Sequence, residues 1–149
     1  PAEIEYNKRS IVFVLFSGGE LEELGSSIFV SNFPQLKYVE CFINAESIGS
    51  GDSINVLGNK RFPLLWEIAN RNDSISTKSL LHGYKTMPTG DAVPFSMVGI
   101  PSLVFTNYMG SNYVHVPSDI SENINRDILT KNASLMAEVI YELSSGPLL

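Results

Sequence analysis

The apolar positions fall into two kinds of run. Ser10 to Phe16 (SIVFVLF) is an almost unbroken β-branched and aromatic stretch, the signature of a strand buried on both faces. It stops at Ser17-Gly18-Gly19, a loop signal. Behind Glu20, the residues Leu21, Leu24, Ile28 and Phe29 recur at helical spacing and predict a helix that Asn32 and Pro34 end. Leu36 to Asn44 predicts a second buried strand, Gly49 to Asp52 a turn, and Ser53 to Leu57 a short strand. Phe62 to Ala69 reads as a helix with Pro63 in its first turn, and Asn70 to Ser79 as a polar loop. Asp91 to Val98 reads as a short helix stopped by Gly99, and Ser102 to Thr106 as a third buried strand. The clearest helix runs from Ile124 to Leu143, with Ile124, Ile128, Leu135, Met136, Val139, Ile140 and Leu143 on one face and Gly146-Pro147 beyond it.

Strands alternating with helices predict an α/β fold: a mixed, mostly parallel sheet with helices on both faces. In such sheets, sites form in the loops at the carboxyl ends of the strands. No internal repeat, low-complexity stretch or linker divides the chain, and 149 residues suit a single domain.

Composition narrows the function classes. The net charge of −6 argues against nucleic acid as a partner, because phosphate binding wants a basic face. No apolar run approaches the roughly 20 residues of a membrane-spanning helix, so no membrane partner is expected. Cys41 is the only cysteine; it excludes an intrachain disulfide, points to a cytoplasmic setting, and sits in an apolar run that suits a buried thiol. The chain opens on Pro1 rather than Met, which suggests a trimmed chain or part of a longer one.

Candidate chemistry gathers where the sheet rule puts it. Glu20 follows the first predicted strand, Glu46 the second and His115 the third. Carboxylates and an imidazole can bind zinc. Each also has a plainer reading: an acid at a helix start is favoured by the helix dipole, and a loop histidine is commonly solvated.

The surrounding residues sharpen this choice. Phe16-Ser17-Gly18-Gly19-Glu20-Leu21-Glu22-Glu23-Leu24-Gly25-Ser26 resembles the strand–loop–helix motif F-S-G-E-E-x-G-L-x-G-S of the co-catalytic zinc aminopeptidases. That family also includes glutamate carboxypeptidase II, glutaminyl cyclase, and receptor-like relatives such as transferrin receptor and nicastrin. Asn44-Ala45-Glu46-Ser47-Ile48-Gly49 is similar to its N-L-D-M-I-G, and Gly90-Asp91-Ala92-Val93-Pro94-Phe95 to its S-D-H-x-P-F. Gly99-Ile100-Pro101 and Tyr113-Val114-His115-Val116-Pro117-Ser118-Asp119 match G-I-P and Y-H-T-P-S-D in the same order.

The resemblance implies a zinc exopeptidase-like three-layer fold, a zinc cofactor and a peptide substrate cleaved at its N-terminus. It implies that Glu20 and His115 bind one metal. Glu46 stands where an aspartate binds the other metal, Asp91 in a structural or supporting position, and Tyr113 on the substrate side. Gly19 takes the place of the glutamate that serves as general base, and glycine cannot accept a proton. Ala92 replaces a motif histidine, and Glu22 replaces a motif glycine. Glu22 and Glu23 are expected to be solvent-facing helix acids. The family's upstream histidine and bridging aspartate have no counterpart before Ser10, and His82 in Leu81-His82-Gly83 does not match them. The chain is therefore expected to be the C-terminal portion of one aminopeptidase-like domain. Its function is either an impaired metallopeptidase or a non-catalytic binding module. Its apolar edge is expected to be covered by self-association or by a chain supplying the N-terminal part.

Overall fold

A computed structural model describes residues 7–52, 55–58, 61–72, 89–107, 113 and 115–146. Helix α1 spans Leu24–Asn32, strand β1 Phe42–Glu46, β2 Val56–Gly58, and helix α2 Pro63–Asn72. Helix α3 (Ala92–Met97), strand β3 (Ser102–Thr106) and helix α4 (Arg126–Ser145) complete the order. Single 3-10 turns occupy Leu36–Tyr38 and Ser121–Asn123.

The sheet is mixed, in the order β1-β3-β2. Strand β3 runs parallel to β1, with Glu46 opposite Thr106, and antiparallel to β2. All five residues of β3 are buried, as a central strand covered on both faces requires. On one face Leu103 and Phe105 pack with Val56 of β2, with Leu65, Trp66, Ile68 and Ala69 of α2, and with Leu135, Val139 and Leu143 of α4. A second cluster joins Val30 and Phe29 of α1, Phe95 of α3, Phe42 of β1 and Phe16. Within it the Phe42 and Phe95 rings stack 3.9 Å apart, and Phe16 meets Phe29 edge-on at 5.5 Å. Helices on both faces give the three layers that the alternation of elements predicts.

Helix α4 begins where the Asn125 side chain accepts the Ile128 N–H, and Asp127 in its first turn suits the helix dipole. Its buried positions Ile128, Leu135, Val139 and Leu143 recur at helical spacing.

Several expectations need correction. Ser10–Phe16 forms no hydrogen-bonded strand among the described residues; Phe16 is anchored in the aromatic cluster, but Phe13 is 87% exposed and Leu15 fully exposed. A strand needs a ladder partner, and the described residues offer this segment none, so its β propensity goes unused. Ile11 and Phe13 instead line an open depression of about 450 Å³ with Ile48, Met136, Ala137 and Ile140. The second strand starts at Phe42, because Leu36–Tyr38 is taken up by the 3-10 turn. Asn70 to Asn72 continue α2 rather than opening a loop. Helix α1 starts at Leu24, so Glu20, Glu22 and Glu23 lie in the turn before it and are not helix acids. His82 and residues 108–112 lie outside the described residues. Among the described residues no helix is long and apolar enough to cross a membrane.

Candidate metal centre

The loop between Phe16 and α1 is a tight, hydrogen-bonded turn. Leu21 and Leu24 donate their N–H groups to Gly18 O, Glu23 donates to Gly19 O, and Gly25 donates to Ser17 O. A side chain at Gly25 would collide with the Ser17 carbonyl, so glycine there lets α1 dock directly on the loop carrying Glu20. The turn is reached through backbone that L-residues rarely adopt: φ is 56° at Glu22 and 53° at Glu23. Ser47 (φ 53°) and His115 (φ 62°) share this left-handed region. Ser47 directly follows β1, and unusual backbone of this kind concentrates at functional sites.

The turn brings Glu20 to His115. Glu20 Oε2 lies 3.4 Å from His115 Nε2, and both side chains are open to solvent. Glu46, at the end of β1, is held less exposed. Burial pushes its carboxyl pKa up, and the negative charges of Asp91, Glu23 and Glu20 push it further the same way. Glu46 Oε2 and Asp91 Oδ1 are buried and make no hydrogen bond among the described residues. The expected residues Glu20, Glu46, Asp91 and His115 are thus drawn to one end of the sheet, with Glu23 an unexpected fifth. Tyr113 stands two positions before His115 in the chain, accepts the Val116 N–H through its carbonyl, and is exposed.

These groups suit a divalent cation in kind: carboxylate oxygens and an imidazole are the donors zinc accepts, and mutually repelling carboxylates with unpartnered oxygens lack a positive charge. The Glu20–His115 contact fits two ligands of one ion. Among the described residues no three His, Cys, Asp or Glu side chains stand together as a complete ligand set.

Sequence reasoning also missed Gly90. Its φ is 56°, and a Cβ added there would stand 2.8 Å from Glu46 Oε2. The resemblance places serine at this position and aspartate at position 46. The longer carboxylate at 46 therefore reaches into space that the glycine leaves open. At Gly19 a Cβ would meet nothing within 4 Å, so the position to which the resemblance assigns a glutamate is sterically free.

A mixed sheet with acids and an imidazole gathered beyond the carboxyl ends of its parallel strands defines a metallopeptidase-like α/β domain. The chain belongs to peptidase family M28, whose sequence model matches residues 2–140. Two solved structures of a zinc aminopeptidase from Bacillus subtilis are similar at 24% and 23% identity, with TM-scores of 0.66 and 0.69. They align over 85% and 89% of this chain and 34% and 35% of their own. An aminopeptidase from Aneurinibacillus sp. strain AM-1 is similar at 19% identity and a TM-score of 0.64, over 89% of this chain and 32% of its own. The likeness establishes a common fold, and the chain spans about a third of the length of these structures. No curated protein matches.

Proposed function

We propose that the chain is the C-terminal, ligand-bearing part of a zinc aminopeptidase-like domain acting on the N-termini of peptides, with its hydrolytic step impaired. The observation that carries this reading is the Glu20–His115 contact of 3.4 Å in a chain of family M28. Glu20 and His115 would hold zinc, with Glu46 as a further carboxylate donor. Zinc, when bound, polarises the peptide carbonyl. Asp91 adds negative charge beside Glu46 and strengthens cation binding there. Tyr113, two positions before His115 and exposed, would contact the peptide, as the resemblance implies. Proton transfer lacks its usual agent, because Gly19 has no side chain; loss of a general base costs on the order of 10²–10⁴ in rate.

That same glycine favours a second reading, in which the fold survives as a module that binds peptides without cutting them. Isothermal titration with zinc, together with hydrolysis of an aminoacyl chromogenic substrate, separates the two. Zinc-dependent turnover that Glu20→Ala and His115→Ala both abolish supports the impaired peptidase. Zinc binding without turnover, or no zinc binding at all, sinks the peptidase reading and favours the module. The exposed Ile11–Leu15 segment is expected to be covered in solution by self-association or by a chain supplying further strands.

A further inference from the structure

The loop after Glu46 is held by three asparagines, one just past β3 and two from α4 and its cap. Asn132 of α4 donates its Nδ2 to Ile48 O at 2.7 Å, and Asn125, the cap of α4, donates its backbone N–H to Gly49 O at 2.8 Å. Asn107, just past β3, donates Nδ2 to Ser50 O at 2.5 Å, and Asn125 Nδ2 reaches Gly51 O at 3.0 Å. Four successive carbonyls, from Ile48 to Gly51, are each taken by an asparagine donor. Asn132 is fully buried and Asn107 is 1% exposed, so these amides are committed to the protein interior.

Asn107 has the most direct line to the site. Its backbone N–H faces Glu46 O at 3.4 Å, its side-chain Nδ2 holds Ser50 O, and its Oδ1 accepts from Asn55 Nδ2 at 2.6 Å. It therefore bridges the residue before the loop's bend and a residue after it, across Ser47 with its φ of 53°. A left-handed residue persists only when its surroundings over-determine it, and this clasp does so. Both ends of the buried Asn107 amide are engaged, which specifies one arrangement, since opening it leaves unpaired polar groups in the interior.

We infer that Asn107, with Asn125 and Asn132, is a positioning residue for the Glu46 carboxylate: it fixes the 47–51 loop so that Glu46 meets the cation-binding end of the sheet in one orientation. The role rests on the metal reading proposed above.

The test uses the full chain and Asn107→Asp, which keeps size and acceptor but cannot donate to Ser50 O. Zinc affinity is read by titration calorimetry, and loop opening by hydrogen–deuterium exchange of residues 46–51. Asn107→Asp should weaken zinc binding about tenfold or more, in the range for groups that orient metal ligands. It should also speed exchange in the loop. The added negative charge by itself would tighten cation binding, so weakening cannot come from charge. Asn72→Ala is the control: Asn72 bonds Ile68 O and Glu142 on α2 and α4, away from the site. It should lower the melting temperature and leave both readouts unmoved. If Asn107→Asp does not fold, Asn125→Ser keeps an acceptor at the helix cap, loses the donor to Gly51 O, and carries the same expectation. Unchanged zinc affinity overturns the positioning role, whether or not exchange rises. A wild-type chain that binds no zinc, or binds it equally well as Glu20→Ala and His115→Ala, overturns the metal reading itself and this role with it.

Discussion

Replacing Glu22 by glycine should stabilise this protein, although the same substitution at most exposed glutamates does the reverse. Glu22 is exposed and has φ of 56°, in the left-handed region. Holding an L-residue there costs roughly 1–2 kcal/mol, which glycine does not incur. Glycine adds back a loss of about 0.5–1 kcal/mol through its freer unfolded chain. The net gain is about 0.5–1 kcal/mol, or about 1–4 °C in melting temperature for a chain of this length. Thermal unfolding followed by circular dichroism measures it. Glu67 provides the opposite case: it is exposed in the interior of α2, and Glu67→Gly should cost about 1 kcal/mol. Glu22→Gln removes the charge but keeps the Cβ, so it separates electrostatic relief among Glu20, Glu22 and Glu23 from backbone relief. If Glu22→Gly lowers the melting temperature as Glu67→Gly does, the left-handed turn is not the solution conformation. A gain matched by Glu22→Gln would assign the effect to charge and refute the backbone argument.

Gly19→Glu restores a carboxylate at a sterically open position and should raise peptide hydrolysis by on the order of 10²–10⁴ if the ligands are otherwise competent; no gain places the defect elsewhere. Gly90→Ala should weaken zinc binding by pushing the Glu46 carboxylate aside, and Glu46→Asp in the same chain should recover part of that loss; additive losses in a double-mutant cycle would refute the size match. Because the folded-state pKa of Glu46 is raised, the folded chain binds its proton more tightly than the unfolded chain, so stability from this group falls as pH rises from the ordinary value of 4.5 through the folded one. Glu46→Gln should therefore stabilise the zinc-free chain at pH 7 and confer nothing below about pH 4.5, as thermal unfolding across pH would register. Burial first, and then the Glu40 charge, push the Cys41 thiol up to about 11 against the opposing Arg9 charge; iodoacetamide at pH 8 should modify it about 100-fold more slowly than an exposed cysteine, and a comparable rate would contradict its burial.

What the sequence disclosed about this fold depended on whether local pattern and tertiary context agreed. Ser102–Thr106 was legible to the residue because a strand buried on both faces is apolar throughout, and β3 lies at the centre of the sheet. Helix α4 was legible because its buried positions keep helical spacing over about four turns. Ser10–Phe16 has the same composition as β3, but composition reports propensity and not the presence of a neighbour. The site divides in the same way. Glu20, Glu46 and His115 could be picked out by their places after predicted strands, and the motif order strengthened each. Glu23 does not keep the motif's offset to Gly25-Ser26 and so reads as a solvent-facing helix acid, whereas two left-handed residues hold it in the turn before α1. Gly90 left no readable signal: its importance lies in what the Glu46 side chain occupies. The asparagine clasp is equally silent, since its members are separated along the chain and only the fold assembles them.

Arg9 has a bearing beyond its ion pair with Glu40 at 2.6 Å. Its guanidinium also donates to Leu143 O and Gly146 O at the end of α4, while the N–H groups of Lys8 and Arg9 both reach Ser144 O. Residues 7–9 therefore lie against residues 143–146, so the segment that leads into the Glu20 turn is fastened at its start to the last turn of α4. The helix that packs against β3 thus also sets where that segment begins.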